Sequence, residues 1–443
     1  MNKNISPWRW IPSLYVAEAI PYVAVNTLTV LMYTQMGIGL KEMAFFTGWL
    51  YLPWVIKPFW SPFVDIISTK RKWILMMQVL IAIGFASVAY FLSTSFFFAS
   101  TLAVFWAIAF FSATHDIAAD GYYMLALSEH QQAAFVGVRS TFYRLGTLFG
   151  QGGLIWIAAQ VEKHLSASGS PAAIVNAWRS VFVAVSLIFL CIAICHVFAL
   201  PGGFAQQPEQ KKGGNVISEF FRTFIQFFTK PHIVSALAFM LLFRLPEALC
   251  IKILQPFFIS PRIEGGLGMS LDQVAVASGI TGVVALLAGG IAGGIAISRK
   301  GLRYWLFPMA ATLTLPCAFY LLMAMFPPAA SGTGFAVINA AVFVEQFGYG
   351  FGFTAFMLYL IYFSEGERKT SYYAFCTAFM ALGMMIPGMF SGWLFEVTSQ
   401  WNILMPDGAQ GYVNFFLWVM LSSVVTFAVC GFLKIDPRFG MKK

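Results

Sequence analysis

Charge is what this sequence has least of. Asp, Glu, Lys and Arg together make up 10% of its 443 residues, against about 25% in an ordinary soluble domain. That deficit excludes a water-solvated globular chain. Cysteine is scarce too: Cys191, Cys195, Cys250, Cys317, Cys376 and Cys430 all fall inside apolar stretches, and none forms a CxxC pair. A disulfide framework and a zinc site are therefore not indicated. Cys191 and Cys195 lie four apart with His196 adjacent, a pattern that packing explains better than a metal. No P-loop, HExxH or GxSxG occurs, so the sequence argues against an enzyme and implies no cofactor. Long polar segments are missing as well, with one exception near 201–230.

What fills the chain is apolar. Hydrophobic residues are 59%, with 47 Phe, 20 Met and 13 Trp, and the mean hydropathy is +0.76. A membrane-spanning helix needs about 20 largely apolar residues. Twelve stretches qualify, at roughly 10–34, 42–64, 73–94, 98–126, 133–160, 178–200, 231–259, 271–298, 302–326, 333–363, 371–397 and 411–433. The first holds Glu18 and no small-residue cleavage site, so it reads as a span and not as a signal peptide. The fold class expected is an all-α polytopic membrane protein with twelve transmembrane helices in two six-helix bundles. The net charge of +9 sits mainly in the turns and termini, so nucleic acid is not implied. Lys3, Arg9, Lys70, Arg71, Lys72, Lys211, Lys212, Arg299, Lys300, Arg368, Lys369, Lys442 and Lys443 share one side; Lys41, Lys163, Arg179 and Arg262 occupy the other. The positive-inside rule then makes both termini cytoplasmic.

The polar segment 201–230 divides the chain into an N-terminal bundle, 1–200, and a C-terminal bundle, 231–443. Within it Phe220, Phe221, Phe224, Phe227 and Phe228 form an apolar face beside Arg222 and Lys230, as in a helix lying on a membrane surface. The halves repeat. Met36–Ala44 matches Leu267–Ala275 after the first span of each half, and Ser128-Glu129 matches Ser364-Glu365. A six-span repeat is even, so the two copies run parallel about an axis along the membrane normal. This architecture resembles that of the major facilitator superfamily, which implies a substrate site near the midplane and alternating access.

Ionisable side chains in hydrocarbon are costly, so they pair or face a polar cavity. His115, Asp116 and Asp120 stand on the fourth span; Arg139 and Arg144 follow on the fifth. Counting from the turn at His130, with 1.5 Å rise per residue, places Asp116 level with Arg144 and Asp120 level with Arg139. Glu18 and Lys57 lie at similar depth on the first two spans. Arg244, Glu247 and Lys252 occupy the middle of the seventh, and Glu345 with Gln346 the tenth, nearer the outer side. These eleven charged or titratable residues, from Glu18 to Glu345, are the candidates for substrate binding or proton coupling. Among the carboxylates the order for coupling is Glu18, Asp120, Glu247. Asp65, followed by Lys70-Arg71-Lys72, stands in the turn between the second and third spans, where facilitator proteins carry an Asp followed by basic residues; that resemblance implies a gating role for Asp65 and Arg71.

Two motifs narrow the resemblance. Lys57-x-x-Trp60-Ser61-Pro62-x-x-Asp65 and Asp116-Ile117-Ala118-x-Asp120-Gly121-Tyr122, with Tyr143-Arg144-Leu145-Gly146 beyond the turn, resemble the AmpG-type muropeptide permeases. They are also similar to the related acetyl-coenzyme A transporters. The likeness is strongest over about 45–150. It departs at His115, where the family usually has Gln, at Tyr122, where Trp is common, and at Ser61, where facilitators usually have Gly. The resemblance implies a proton-coupled symporter importing N-acetylglucosamine–anhydromuramyl peptide across a bacterial inner membrane. Its partners would be a small polar or anionic substrate, protons and the lipid bilayer. Two alternatives are an exchanger for an anionic metabolite such as acetyl-coenzyme A, and a non-transporting sensor of cell-wall fragments.

Overall fold

The computed structural model describes residues 6–127, 129–201, 216–366, 369–401 and 411–441. Each of the twelve expected stretches is helical, and no strand occurs among the described residues. In chain order, the first stretch is α1 (Ile11–Val23), a π-helical turn (Ala24–Leu28) and α2 (Thr29–Gln35). The second is α3 (Leu40–Trp49) and α4 (Leu52–Ile67). Next come α5 (Lys70–Phe91) and α6 (Phe97–Ala126), then α7 (Glu129–Leu148), which continues through a π-helical turn (Phe149–Leu154) into α8 (Ile155–Ala167). The sixth is α9 (Ala173–Ala199), and α10 (Val216–Phe228) follows in the polar connection. The seventh is broken into α11 (Ile233–Leu242), α12 (Leu245–Cys250) and α13 (Leu254–Ile259). The eighth and ninth share α14 (Leu271–Val274), a π-helical turn (Ala275–Thr281), α15 (Gly282–Thr314) and α16 (Cys317–Met325). The last three are α17 (Gly332–Phe363), α18 (Lys369–Ser399) and α19 (Gly411–Gly431).

Proline and glycine place the breaks. Pro53 has no N–H to return to Trp49, so α3 closes early, with Leu50 and Tyr51 donating to the carbonyls of Thr47 and Gly48 at 3.2 Å. Pro246 likewise frees Leu242 and opens the gap that Arg244 occupies, and Pro256 fills the first turn of α13. Inside α15 the chain doubles back at Gly301, whose φ of 78° favours glycine. A Cβ there would lie 2.9 Å from the carbonyl oxygen of Pro437, in the chain's own C-terminal segment.

The residues gather into two compact units. The first is Met1–Met36 with Ile56–Gly214; the second is Gly37–Val55 with Asn215–Lys443. The second unit therefore includes α3, which the expected 1–200 bundle had assigned to the first half. In the first unit α7 runs along α1, and α5 lies against both α6 and α9. Trp10 meets Tyr122 edge-on at 5.1 Å, and the Tyr122 hydroxyl donates to the carbonyl of Pro201 at 2.8 Å.

In the second unit α15 packs along α17, and α3 along α18. The first seam is a backbone contact: a Cβ at Gly289 would sit 2.0 Å from the Phe347 carbonyl oxygen, and one at Gly350 2.1 Å from that of Leu286. Lipid offers helices no hydrophobic drive to associate, so close van der Waals packing through small residues does that work. The aromatic stripe of α10 is turned partly into this unit. Phe227 is fully buried against Phe363, Tyr372, Phe375 and Phe379, while Phe221 is exposed. Lys230, just beyond α10, donates to the carbonyls of Phe363 and Glu365.

Candidate functional site

The first unit brings four helices to one charged cluster. Asp116 and Asp120 are one turn apart on α6 and share a face. Asp120 Oδ1 lies 2.7 Å from Arg139 Nη2 on α7. The Tyr15 hydroxyl of α1 donates to the same oxygen at 3.4 Å. The Arg139 guanidinium stacks 4.6 Å from the Tyr15 ring centre and 5.5 Å from that of Tyr123, a cation–π arrangement that keeps the planar cation in register. The expected Asp120–Arg139 pair is thus present.

The other expected pair is not the one formed. Asp116 Oδ2 lies 3.7 Å from Lys57 Nζ on α4, and Arg144 makes no ion pair among the described residues. The reason is the helix arrangement. Equal depth was read as adjacency, but α6 and α7 scarcely touch; α1 packs against both of them.

On α1, between these pairs, is Glu18. It is only 8% exposed, and its Oε2 is buried without a hydrogen-bond partner among the described residues. The charges acting on it belong to Asp120, Asp116, Arg139 and Lys57. A carboxyl with an unmet oxygen, flanked by two carboxylates and two cations, has several partners to exchange among.

In the second unit an exposed pair, Lys41 on α3 and Glu396 on α18, lies 2.7 Å apart, while the expected site residues are held more locally. Arg244 sits in the gap that Pro246 opens, and its Nε and Nη2 donate to the two carboxylate oxygens of Glu247 at 2.8 and 2.6 Å. Nη2 also donates to the Tyr349 hydroxyl at 2.9 Å. The rings of Tyr349, Phe353 and Phe356 lie 5.5, 4.8 and 6.0 Å from the guanidinium. Lys252, in the turn between α12 and α13, is wholly buried. Its Nζ donates to the Thr47 carbonyl at 3.3 Å and lies 5.3 Å from the centre of the Tyr51 ring. Glu345 is buried and accepts from the Tyr320 hydroxyl at 2.9 Å and from Gln346 Nε2 at 2.8 Å.

Of the expected gating pair, the Asp65 side chain lies outside the described residues. Arg71 donates to the carbonyls of Leu200 and Val197 at 3.1 and 2.5 Å. It caps the end of α9, where unpaired carbonyls and the helix dipole favour a cation. His115 does not join the carboxyl cluster; it bonds to Gln78 Nε2 on α5 at 3.0 Å. Gln78 in turn meets His196 on α9. Sequence reading passed over Gln78 and Ser13 and weighed His196 only beside Cys191 and Cys195. Those cysteines are exposed while His196 is buried, so the three do not share a face. An uncharged Gln in an apolar run gave little signal.

Comparison with known proteins bears on the family and the fold. The profile described as Major Facilitator Superfamily matches residues 14–386. The anhydromuropeptide permease of Escherichia coli K12 is 24% identical over 416 residues, covering 92% of this chain and 76% of the permease. A putative transporter, AmpG 4, of Rickettsia conorii is 22% identical over 425 residues, covering 92% of each chain. Among solved structures, a nucleoside transporter superposes with a TM-score of 0.70 at 14% identity, covering 96% of this chain and 99% of its own. A bacterial homologue of the lysosomal transporter Spinster superposes with 0.67 at 16%, covering 97% of each. At these identities the structural likeness speaks to the fold alone.

Proposed function

The chain belongs to the Major Facilitator Superfamily, an integral membrane transporter and not an enzyme, and from that premise we propose that it is a proton-coupled importer of muropeptide material. The substrate class is N-acetylglucosamine–anhydromuramyl peptide, carried by alternating access across a bacterial inner membrane with both termini in the cytoplasm. The observation that carries the reading is Glu18. A coupling carboxyl must be able to gain and lose a proton as its partners change. One locked in a bidentate pair, as Glu247 is with Arg244, is poorly suited to that. Glu18 has an oxygen without a hydrogen-bond partner among the described residues and both signs of charge around it. The permease of Escherichia coli supports the substrate class, being similar over most of the chain.

An anionic-metabolite exchanger is the second reading. Arg144 has no ion-pair partner among the described residues, and Lys252 is held by a carbonyl and a ring, not by a carboxylate. Proteoliposome uptake separates the two. Wild-type protein is offered N-acetylglucosamine, anhydromuropeptide, free peptide and acetyl-coenzyme A, with and without a pH gradient. Accumulation of anhydromuropeptide that needs the gradient supports the symporter. Gradient-independent counterflow of acetyl-coenzyme A supports the exchanger. Saturable binding without uptake would make the protein a sensor. Accessibility labelling that places either terminus outside the cytoplasm overturns the orientation.

A further inference from the structure

Four residues form an unbroken hydrogen-bonded chain through the first unit. Ser13 Oγ on α1 lies 2.8 Å from His196 Nε2 on α9. His196 Nδ1 lies 2.9 Å from Gln78 Nε2 and 3.1 Å from Gln78 Oε1 on α5. Gln78 Nε2 lies 3.0 Å from His115 Nε2 on α6. Gln78 and His196 are fully buried, and His115 is 1% exposed.

The chain is complete with the His196 proton on either nitrogen. With the proton on Nδ1, His196 donates to Gln78 Oε1 and accepts from the Ser13 hydroxyl. With it on Nε2, His196 donates to Ser13, whose own proton goes to the Trp10 carbonyl at 3.3 Å, and accepts from Gln78. In both cases the Gln78 amide also donates to His115.

The two ends of the chain are the informative part. Ser13 is five residues before Glu18 on α1, about 7.5 Å along the axis. His115 directly precedes Asp116 on α6, so the two side chains leave the helix on different faces. Leucines at these positions would serve to pack four helices together. A buried hydrogen-bonded network adds directional constraint to that packing and rigidifies the arrangement of the helices it joins.

The geometry points to Gln78, clasped between His115 and His196, as a positioning residue that sets the rotation of α6 directly and of α1 through His196 and Ser13, and thereby holds Asp116 at Lys57 and Glu18 within the charged cluster. This rests on the reading of Glu18 and Asp116 as transport residues. Gln78 touches no substrate; it acts on α6 through His115 and on α1 through His196 and Ser13.

The test compares Gln78→Leu, His115→Leu and His115→Gln in proteoliposomes, measuring KM and Vmax for anhydromuropeptide per folded molecule. Gln at position 115 keeps an amide within reach of Gln78. Gln78→Leu and His115→Leu should raise KM about 10–100-fold, by analogy with the loss on removing the residues that orient metal ligands, and His115→Gln should restore it. KM and Vmax unchanged per folded molecule, with only the yield reduced, would mean a fold staple and overturn the inference.

A second measurement does not depend on substrate. In a background with the exposed Cys191 and Cys195 replaced by serine, the maleimide labelling rate of Glu18→Cys is compared with and without Gln78→Leu. A changed rate supports the positioning role; an identical rate overturns it. If Gln78→Leu fails to fold, Gln78→Met takes its place. Should Glu18→Gln keep full gradient-driven accumulation, the coupling reading fails by itself, and the labelling rate still decides whether Gln78 positions α1.

Discussion

The candidate site charges of the two units are built on different plans. In the first unit the ion pairs among the described residues cross between helices: Lys57 of α4 to Asp116 of α6, and Asp120 of α6 to Arg139 of α7. In the second unit one exposed pair, Lys41 of α3 with Glu396 of α18, also crosses, but the candidate residues Arg244 and Glu247 belong to one helical turn, and Lys252 is held by a backbone carbonyl. A pair within one turn moves as a body with its helix. A pair between helices is made or broken when the helices shift. The first plan suits charges that must trade partners during a cycle, and the second suits charges that hold a broken helix in shape. An unmet carboxyl oxygen at Glu18, between the crossing pairs, fits the first plan.

Four experiments sharpen or break this contrast, from the largest effect to the smallest. Glu18→Gln is expected to abolish accumulation driven by a pH gradient while leaving downhill exchange of loaded substrate; retained accumulation moves coupling elsewhere, with Asp120 next and Glu247 after it. Arg244→Gln leaves Glu247 as a buried lone carboxylate, a loss of about 3–5 kcal/mol in soluble proteins. It should appear as a large fall in the thermal midpoint in detergent, with Glu247→Gln added to it restoring much of the fall. Asp120→Asn and Arg139→Gln, singly and together, should give a coupling energy within the ~0.5–3 kcal/mol found for contacting residues. The low end is expected, because the two side chains are 36% and 32% exposed. Strict additivity would mean the pair is not coupled. Lys252→Met should cost little stability or raise it, since apolar replacement of a buried charge is often neutral to stabilising. A severe fall in the thermal midpoint would contradict that.

Much of the fold was legible because each span carries its own signal. Apolar length gave the twelve stretches, while the breaks at Pro53 and Pro246 were not read from it. What could not be read was which helices are neighbours. The Asp120–Arg139 pair was found by matching depth along two helices, and the same argument failed for Asp116 and Arg144. Depth is a one-dimensional quantity fixed by rise per residue, whereas neighbourhood depends on how helices pack in the plane of the membrane, and α1 lies against both α6 and α7. The partners of Arg71 were not legible for a related reason. Its partners are backbone carbonyls of Val197 and Leu200, which carry no signature in the side-chain alphabet. His115 was found as a charge candidate, but its partner Gln78 is a neutral residue in an apolar run.

The seam between α15 and α17 has a bearing on how this transporter can change its substrate range. Where Gly289 and Gly350 stand, the opposing backbone fills the space that a side chain would need. Those positions are closed to variation, and a saturation library should return them as nearly blank columns. The gaps among α11, α12 and α13 are different, because prolines have already released the backbone there and side chains decide what fills the space. New specificity arising in the second unit therefore has its raw material around Arg244 and Lys252, while α15 and α17 form the fixed frame against which such variants are selected.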